Sequence, residues 1–119
     1  MISNKTKTVL VTGGAGFIGH HMIRRLLKEE EYNVISMDRL DFSGNLNRLH
    51  ELGQEFGTDT MKRLRVIYHD LRAEVNPQLA AQIGPVDTII HMAAGSHVTR
   101  SIENPMLFVQ DKVVGTCNL

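Results

Sequence analysis

The chain is poor in the residues that would pin a fold covalently or stack it on a nucleic acid's charge. Cys117 is the single cysteine, which excludes an internal disulfide, argues against a cysteine-based metal centre and fits a reducing compartment. As a small apolar side chain on a helix, it is expected to be buried. Lys and Arg number 13 against 13 Asp and Glu, so no bulk electrostatic attraction draws the chain to nucleic acid or to an anionic membrane, and neither is expected as a partner. No apolar run is long enough to span a bilayer. Met1 to Lys7 is polar, and the apolar run after it is too short for a signal peptide. A cytoplasmic protein is the expectation. Repeats, low-complexity tracts and linkers are missing too. At 119 residues and 42% hydrophobic, the chain is expected to form one domain (1–119) with a core, yet it is short for a complete doubly wound enzyme.

What is present is concentrated in VLVTGGAGFIG, Val9 to Gly19. Val9, Leu10 and Val11 read as a buried strand. Ile18, Met22 and Leu26 repeat at helical spacing and read as one face of a following helix. Between them stand Gly13, Gly16 and Gly19. In such a strand–turn–helix the first glycine permits the tight turn, the second lets the backbone approach a pyrophosphate, and the third lets helix and strand pack closely. The free N–H groups and positive dipole end of the helix would face the anion. About 20 residues beyond the last glycine, a second apolar run, Val34 to Met37, ends in Asp38, placed where an acid accepts hydrogen bonds from an adenosine ribose. A ligand-free α/β turn is the alternative, and the strand, helix and acid together favour a dinucleotide.

Strand and helix signals then alternate. Leu46, Leu49, Leu52 and Phe56 predict an amphipathic helix closed by Gly53 or Gly57. Arg65 to His69 and Val86 to His91 predict the third and fourth strands. Asn76-Pro77 opens a helix that Gly84-Pro85 stops, because proline at the first helical position lacks only an N–H that would be unpaired anyway. Asn104-Pro105 opens a last helix with Met106, Val109 and Val113 on one side. The fold class is therefore α/β: a Rossmann-type parallel sheet with flanking helices, strand order 3-2-1-4, incomplete at about four strands. The chain reads as the first part of a larger protein, with the fourth strand an open apolar edge.

With these residues in place, the chain resembles the extended short-chain dehydrogenase/reductase family of nucleotide-sugar epimerases and dehydratases. TGGAGFIG (Thr12 to Gly19), Asp38, YHDLR with Asp70-Leu71, HMAAGSHVTRSIENP (His91 to Pro105) and VVGT (Val113 to Thr116) carry the likeness. LDFSGN and AAGSHVTRSI are most similar to the dTDP-glucose 4,6-dehydratase branch. The resemblance implies NAD as cofactor, with Gly13, Phe17 and Ile18 along its pyrophosphate beside Gly16 and Gly19. It implies Asp38 at the adenosine ribose, with Arg39, Ser43 and Gly44 lining that end. Asp70 and Leu71 would flank the adenine, with the Asp70 carboxylate accepting from its amino group. Met92, Ala93 and Ala94 would run beneath the nicotinamide ribose, and Ser96 and Val98 would lie near nicotinamide and hexose. Asp70 and Ser96 have plainer roles open to them, as turn caps. A nucleotide-sugar substrate and a homodimer are implied for the full-length protein.

Four positions depart from the dehydratase pattern. Gly95 stands in place of Glu or Gln, Thr99 in place of Asp, and Asp111-Lys112 in place of a Thr-Asn pair whose Thr touches the cofactor. Both last changes put charge near the sheet. The Tyr-x-x-x-Lys pair that supplies the family's acid/base is absent: Tyr32 and Tyr68 have no lysine four residues on. A UDP-hexose 4-epimerase and a non-catalytic NAD-binding module therefore stay open beside the dehydratase. Among the six histidines, His20 and His21 read as exposed, since neighbours in a helix cannot share one metal. His91 reads as a satisfied structural residue, and His97 as nearest the site. Lys28 to Glu31 reads as a solvated helix end.

Overall fold

The computed structural model describes residues 6–40, 44–94 and 98–119. Ser43, Gly95, Ser96 and His97 lie outside them, and Val98 is placed only as the first residue of a helix. The elements in order are β1 (Lys7–Thr12), α1 (Phe17–Lys28), β2 (Tyr32–Asp38), α2 (Leu46–Phe56), α3 (Thr58–Met61), β3 (Leu64–Tyr68), α4 (Pro77–Ile83), β4 (Thr88–His91), α5 (Val98–Glu103) and α6 (Pro105–Val109). From α6 the helix passes through a π-helical stretch, Gln110–Val114, into α7 (Gly115–Cys117).

The strands pair in parallel in the order β3-β2-β1-β4, as the alternating pattern predicts. Register brings the strand ends level: Thr12 lies opposite Met37 and His91, and Asp38 lies opposite Tyr68. Side chains alternate across the sheet, which divides the core in two. Val9, Val11 and Val34 face Ile23, Leu27, Leu49 and Leu52 on one side. Leu10, Ile35, Met37 and Ile67 face Leu71 and Ile83 on the other.

Local chemistry sets the helix ends. Asn45 caps α2 by accepting from the Asn47 N–H at 2.9 Å, and Gly57, at φ +83°, ends it, so Gly57 rather than Gly53 is the stop. Asn76 caps α4 through the Leu79 N–H at 2.8 Å, with Pro77 in the first turn. Arginines close two C-termini: Arg63 donates to the carbonyls of Leu27, Glu29 and Tyr32, and Arg65 to those of Gln82 and Ile83.

Several expectations need correction. The buried stripe of α1 is Gly19, Ile23 and Leu27, not Ile18, Met22 and Leu26. Gly19 must lie under Gly13, and that contact turns the helix by one residue, leaving Ile18 65% exposed. α1 ends at Lys28 rather than near Glu31. β4 starts at Thr88 rather than Val86, because the Asp87 carboxylate takes the Thr8 N–H at 2.8 Å in place of a ladder carbonyl. Cys117 is exposed, not buried; Gly115, not Cys117, is the residue of α7 packed inward, against Leu71. Met106, Val109 and Val113 are all exposed, and Phe108 is the buried residue of α6. Leu46, in the first turn of α2, is half exposed.

Candidate functional site

The turn after β1 is built by close approach. Gly13 has φ +71°, the left-handed region that favours glycine, and a Cβ there would lie 2.8 Å from the Ala93 nitrogen. At Gly19 a Cβ would come within 2.0 Å of the Gly13 oxygen. Gly14, which the motif reading passed over, lies on Ser36: its Cβ would meet the Ser36 hydroxyl at 2.1 Å. That hydroxyl is fully buried and has no hydrogen-bond partner among the described residues.

Flanking elements tie the turn down. Asp38 accepts from the Ala15 N–H at 3.1 Å through one oxygen and from the Leu40 N–H at 2.7 Å through the other. The Ala15 carbonyl takes the Asn45 N–H and the Arg48 guanidinium, at 3.0 and 2.9 Å. Leu40, two residues beyond Asp38, is held at φ 56°, a conformation that costs a non-glycine residue about 1–2 kcal/mol. No side chain caps α1 and its first turn carries no acid, so its opening N–H groups and dipole are left for an anion.

A cleft of about 480 Å³ opens above these strand ends, a size usual for a small-molecule site. Gly13, Gly16, Phe17, Ile18, Gly19, Asp38, Arg39, Asp70, Leu71, Met92, Ala93 and Ala94 line it, as do Met37, Arg48, His69, Arg72 and Asp111. Gly44 lies beside the cleft, where a Cβ would be 3.0 Å from the Asp38 carboxylate. Nearly all the described residues of the expected set thus converge from four separate segments. The unforeseen ones come from β2, α2, the β3 end and the π-helical stretch. No local pattern marks Arg48; His69 and Arg72 flank Asp70-Leu71 in the YHDLR segment, from which the resemblance draws those two central residues alone, and Asp111 stands out as a departure from the family pattern.

Charge gathers at one end of the cleft. Asp70 accepts the Arg72 backbone N–H at 3.0 Å and its guanidinium at 2.5 to 3.1 Å. The Arg72 guanidinium, with a smaller contribution from Arg39, holds the Asp70 carboxyl below the usual carboxylate range against the opposing effect of burial. The turn-capping role left open for Asp70 is therefore filled. Arg39 makes a bidentate pair with Asp111 at 2.5 and 3.0 Å.

His91 is the satisfied structural histidine the sequence predicts. Thr12 Oγ1 accepts from the Met92 and Ala93 N–H groups, so its own proton points to His91 Nδ1 at 2.6 Å. His91 Nε2 then carries the proton and donates to Thr116 Oγ1 at 2.9 Å, and Thr116 donates to the Lys112 carbonyl. Burial lowers the His91 pKa, in keeping with this neutral tautomer. His20 is tied to the Gly16 carbonyl at 2.9 Å and stacks near His21 beside Phe17. Among the described residues no group of acids, histidines or cysteine is placed to hold a metal, and no helix is long and apolar enough to cross a membrane.

A parallel sheet in this order, with a glycine turn under an uncapped helix and an acid at the end of the next strand, defines the first half of a Rossmann-type nucleotide-binding fold. The chain belongs to the GDP-mannose 4,6 dehydratase family, whose model matches residues 10–119. It is 38% identical over 115 residues to the dTDP-glucose 4,6-dehydratase of Neisseria meningitidis, covering 95% of this chain and 30% of that protein. The Salmonella typhimurium dTDP-glucose 4,6-dehydratase is 36% identical over 110 residues, 91% of this chain and 28% of the relative. The chain thus spans about 30% of the length of these curated relatives. Among solved structures, a double mutant of the dTDP-glucose 4,6-dehydratase DesIV from Streptomyces venezuelae, with NAD and DAU bound, is 40% identical at TM-score 0.78, covering 93% of this chain and 34% of that one. The UDP-glucose 4-epimerase of Bifidobacterium longum, in complex with NAD+ and UDP, is 32% identical at TM-score 0.79, covering 95% and 32%.

Proposed function

We propose that the chain is the NAD-binding portion of a nucleotide-sugar 4,6-dehydratase acting on a dTDP-hexose, and that the intact protein is a cytoplasmic homodimer. The observation that carries the reading is the meeting, in one cleft, of the uncapped α1 N-terminus over Gly13 and Gly16 with the Asp38 carboxylate. The cradle fits a pyrophosphate because its walls are backbone. A side chain at Gly13 would collide with Ala93, and one at Gly16 would press on the Gly13 oxygen at 3.0 Å.

In this reading the α1 N–H groups hold the pyrophosphate, with Phe17 and Ile18, both about two-thirds exposed, covering it from the helix side. Asp38 accepts from the adenosine ribose hydroxyls, with Arg39, Ser43 and Gly44 around that end. Asp70 and Leu71 flank the adenine, whose amino group shares the Asp70 carboxylate with Arg72. Met92, Ala93 and Ala94 form the floor under the nicotinamide ribose, and Ser96 and Val98 approach the hexose. Bound there, NAD would supply the hydride acceptor and donor by which a hexose is oxidised at C4, loses water across C5 and C6 and is reduced at C6. No residue of this chain is assigned the acid/base role.

A UDP-hexose 4-epimerase is the second reading, favoured by the equal or slightly closer superposition of solved epimerases, with TM-scores of 0.79 and 0.80. Identity ranks the dehydratase first: 40% for DesIV against 28% and 32% for those epimerases. Mass spectrometry of the intact protein's product separates the two. Dehydration removes one water from dTDP-glucose, whereas epimerisation of UDP-glucose leaves the mass unchanged. Water loss is expected; an isomer of unchanged mass would establish the epimerase, and no conversion of either sugar would leave a binding module.

A further inference from the structure

Beyond Asp38, four charges at the adenosine end, Arg39, Asp70, Arg72 and Asp111, alternate in sign. Arg39 Nη1 and Nη2 meet Asp111 Oδ1 and Oδ2 at 2.5 and 3.0 Å, and the Asp111 side chain is only 7% exposed. Arg39 also stands 3.9 Å from Asp70, and Arg72 stands 3.9 Å from Asp111. Asp111 reaches this place from the π-helical stretch, a rare helical form that recurs at functional sites.

Arg39 follows Asp38 directly, which is the position from which a guanidinium accommodates the 2′-phosphate that distinguishes NADP from NAD. Here that guanidinium is already engaged. Turning it toward a 2′-phosphate would leave Asp111 charged, nearly buried and without its bidentate partner, a costly state. Arg72 offers no easy substitute, because its guanidinium is committed to Asp70, and Arg48 is tied to the Ala15 carbonyl. NAD, with a hydroxyl at that carbon, asks for no cation and leaves the network intact.

We propose that Asp111 is a cofactor-specificity residue: by holding Arg39 in a bidentate pair it withholds that guanidinium from a 2′-phosphate and so selects NAD over NADP. The inference rests on the dinucleotide-binding reading above and adds to it a residue outside the glycine turn and the β2 acid.

The test is calorimetric titration of the intact protein with NAD and with NADP, in wild type, Asp111→Asn and the double variant Arg39→Met/Asp111→Asn. Asp111→Asn is expected to tighten NADP about tenfold, the scale of one charge-assisted contact, with NAD changed less than about threefold. The double variant, which removes both partners and leaves no unpaired charge, is expected to bind NADP as wild type does. Unchanged NADP affinity in folded Asp111→Asn, with NAD still bound, overturns the inference alone. Should that variant fail to fold, weaker NADP binding by the double variant than by wild type overturns it instead, since Arg39 would then already serve NADP. Wild type that binds neither cofactor sinks the dinucleotide reading and the inference with it.

Discussion

Gly16 has φ −74° and ψ 171°, angles open to any residue, so its identity is set by space rather than by conformation. Its Cβ position is 3.0 Å from the Gly13 oxygen, and the residue lines the cleft. Gly16→Val is therefore expected to weaken NAD binding to the intact protein by about a hundredfold or more, roughly 3 kcal/mol, while the far-ultraviolet helical signal is kept. Calorimetry with NAD checks this, and unchanged affinity would make the loop a structural turn only. The glycine turn and Asp38 were legible in the sequence because each is a local signal: a residue type at a fixed offset from a strand end. Arg48 was not, since it reaches the cleft from α2 and nothing in its neighbours marks it; His69 and Arg72 flank the Asp70-Leu71 pair, but only the fold turns their side chains to the cleft. The partnership of Arg39 with Asp111, 72 positions apart, is equally invisible along the chain.

Among the elements, α1 shows how a correct period can carry the wrong phase. Ile18, Met22 and Leu26 share the spacing of Gly19, Ile23 and Leu27, and apolar content favours the first set. The Gly13–Gly19 contact selects the second. The C-terminal end of this helix depends on Arg63, whose guanidinium takes three backbone carbonyls at 2.7 to 2.9 Å. Arg63→Met keeps the stem and removes those donors, and is expected to cost the intact protein about 2 kcal/mol in urea unfolding; a loss under about 0.5 kcal/mol would show that water replaces the guanidinium without penalty.

The Thr12–His91–Thr116 chain links β1, β4 and the last helix, and it gives this junction a pH dependence. Burial lowers the His91 pKa from 6.5, so the unfolded chain takes up the proton first. The stabilisation is complete above about pH 6.5 and is lost as pH falls through that value toward the lower folded pKa. A second proton would also face Thr12 Oγ1, whose lone pairs already accept two N–H groups. Thermal unfolding of wild type is expected to lose stability as pH falls below about 6.5, and His91→Gln is expected to flatten that fall. An equal slope in the variant would assign it to other groups.

On the scale of the molecule, β4 pairs only with β1 among the described residues, with Ile89 45% exposed. Ile102, Met106, Val109 and Val113 add further uncovered apolar surface. An unpaired apolar edge is a template for another chain. The 119-residue polypeptide by itself is expected to self-associate at micromolar concentration and to convert no nucleotide sugar even with saturating NAD, because it holds no Tyr-x-x-x-Lys pair. Sedimentation velocity and product mass analysis check the two halves. A monodisperse monomer that dehydrates dTDP-glucose would contradict both.

Sequence by itself determined the alternating strands and helices, the glycine turn and the acid that faces it, because each follows from periodicity and short-range turn chemistry, and the strand order followed from the doubly wound fold type those signals imply. The α4 start was equally readable, since Asn76 acts on an N–H group three residues away; the Asn45 cap of α2 is as local but was found only in the structure. Tertiary structure decided the phase of α1, the exposure of Cys117 and of the last helix's apolar side, and the burial of Ser36 beneath Gly14. It also decided that Asp111, read as a stray charge near the sheet, would become the partner of Arg39. These outcomes depend on distances between elements far apart in the chain. The energies that fix them, steric exclusion at 2 to 3 Å and desolvated ion pairing, act only after the chain has folded.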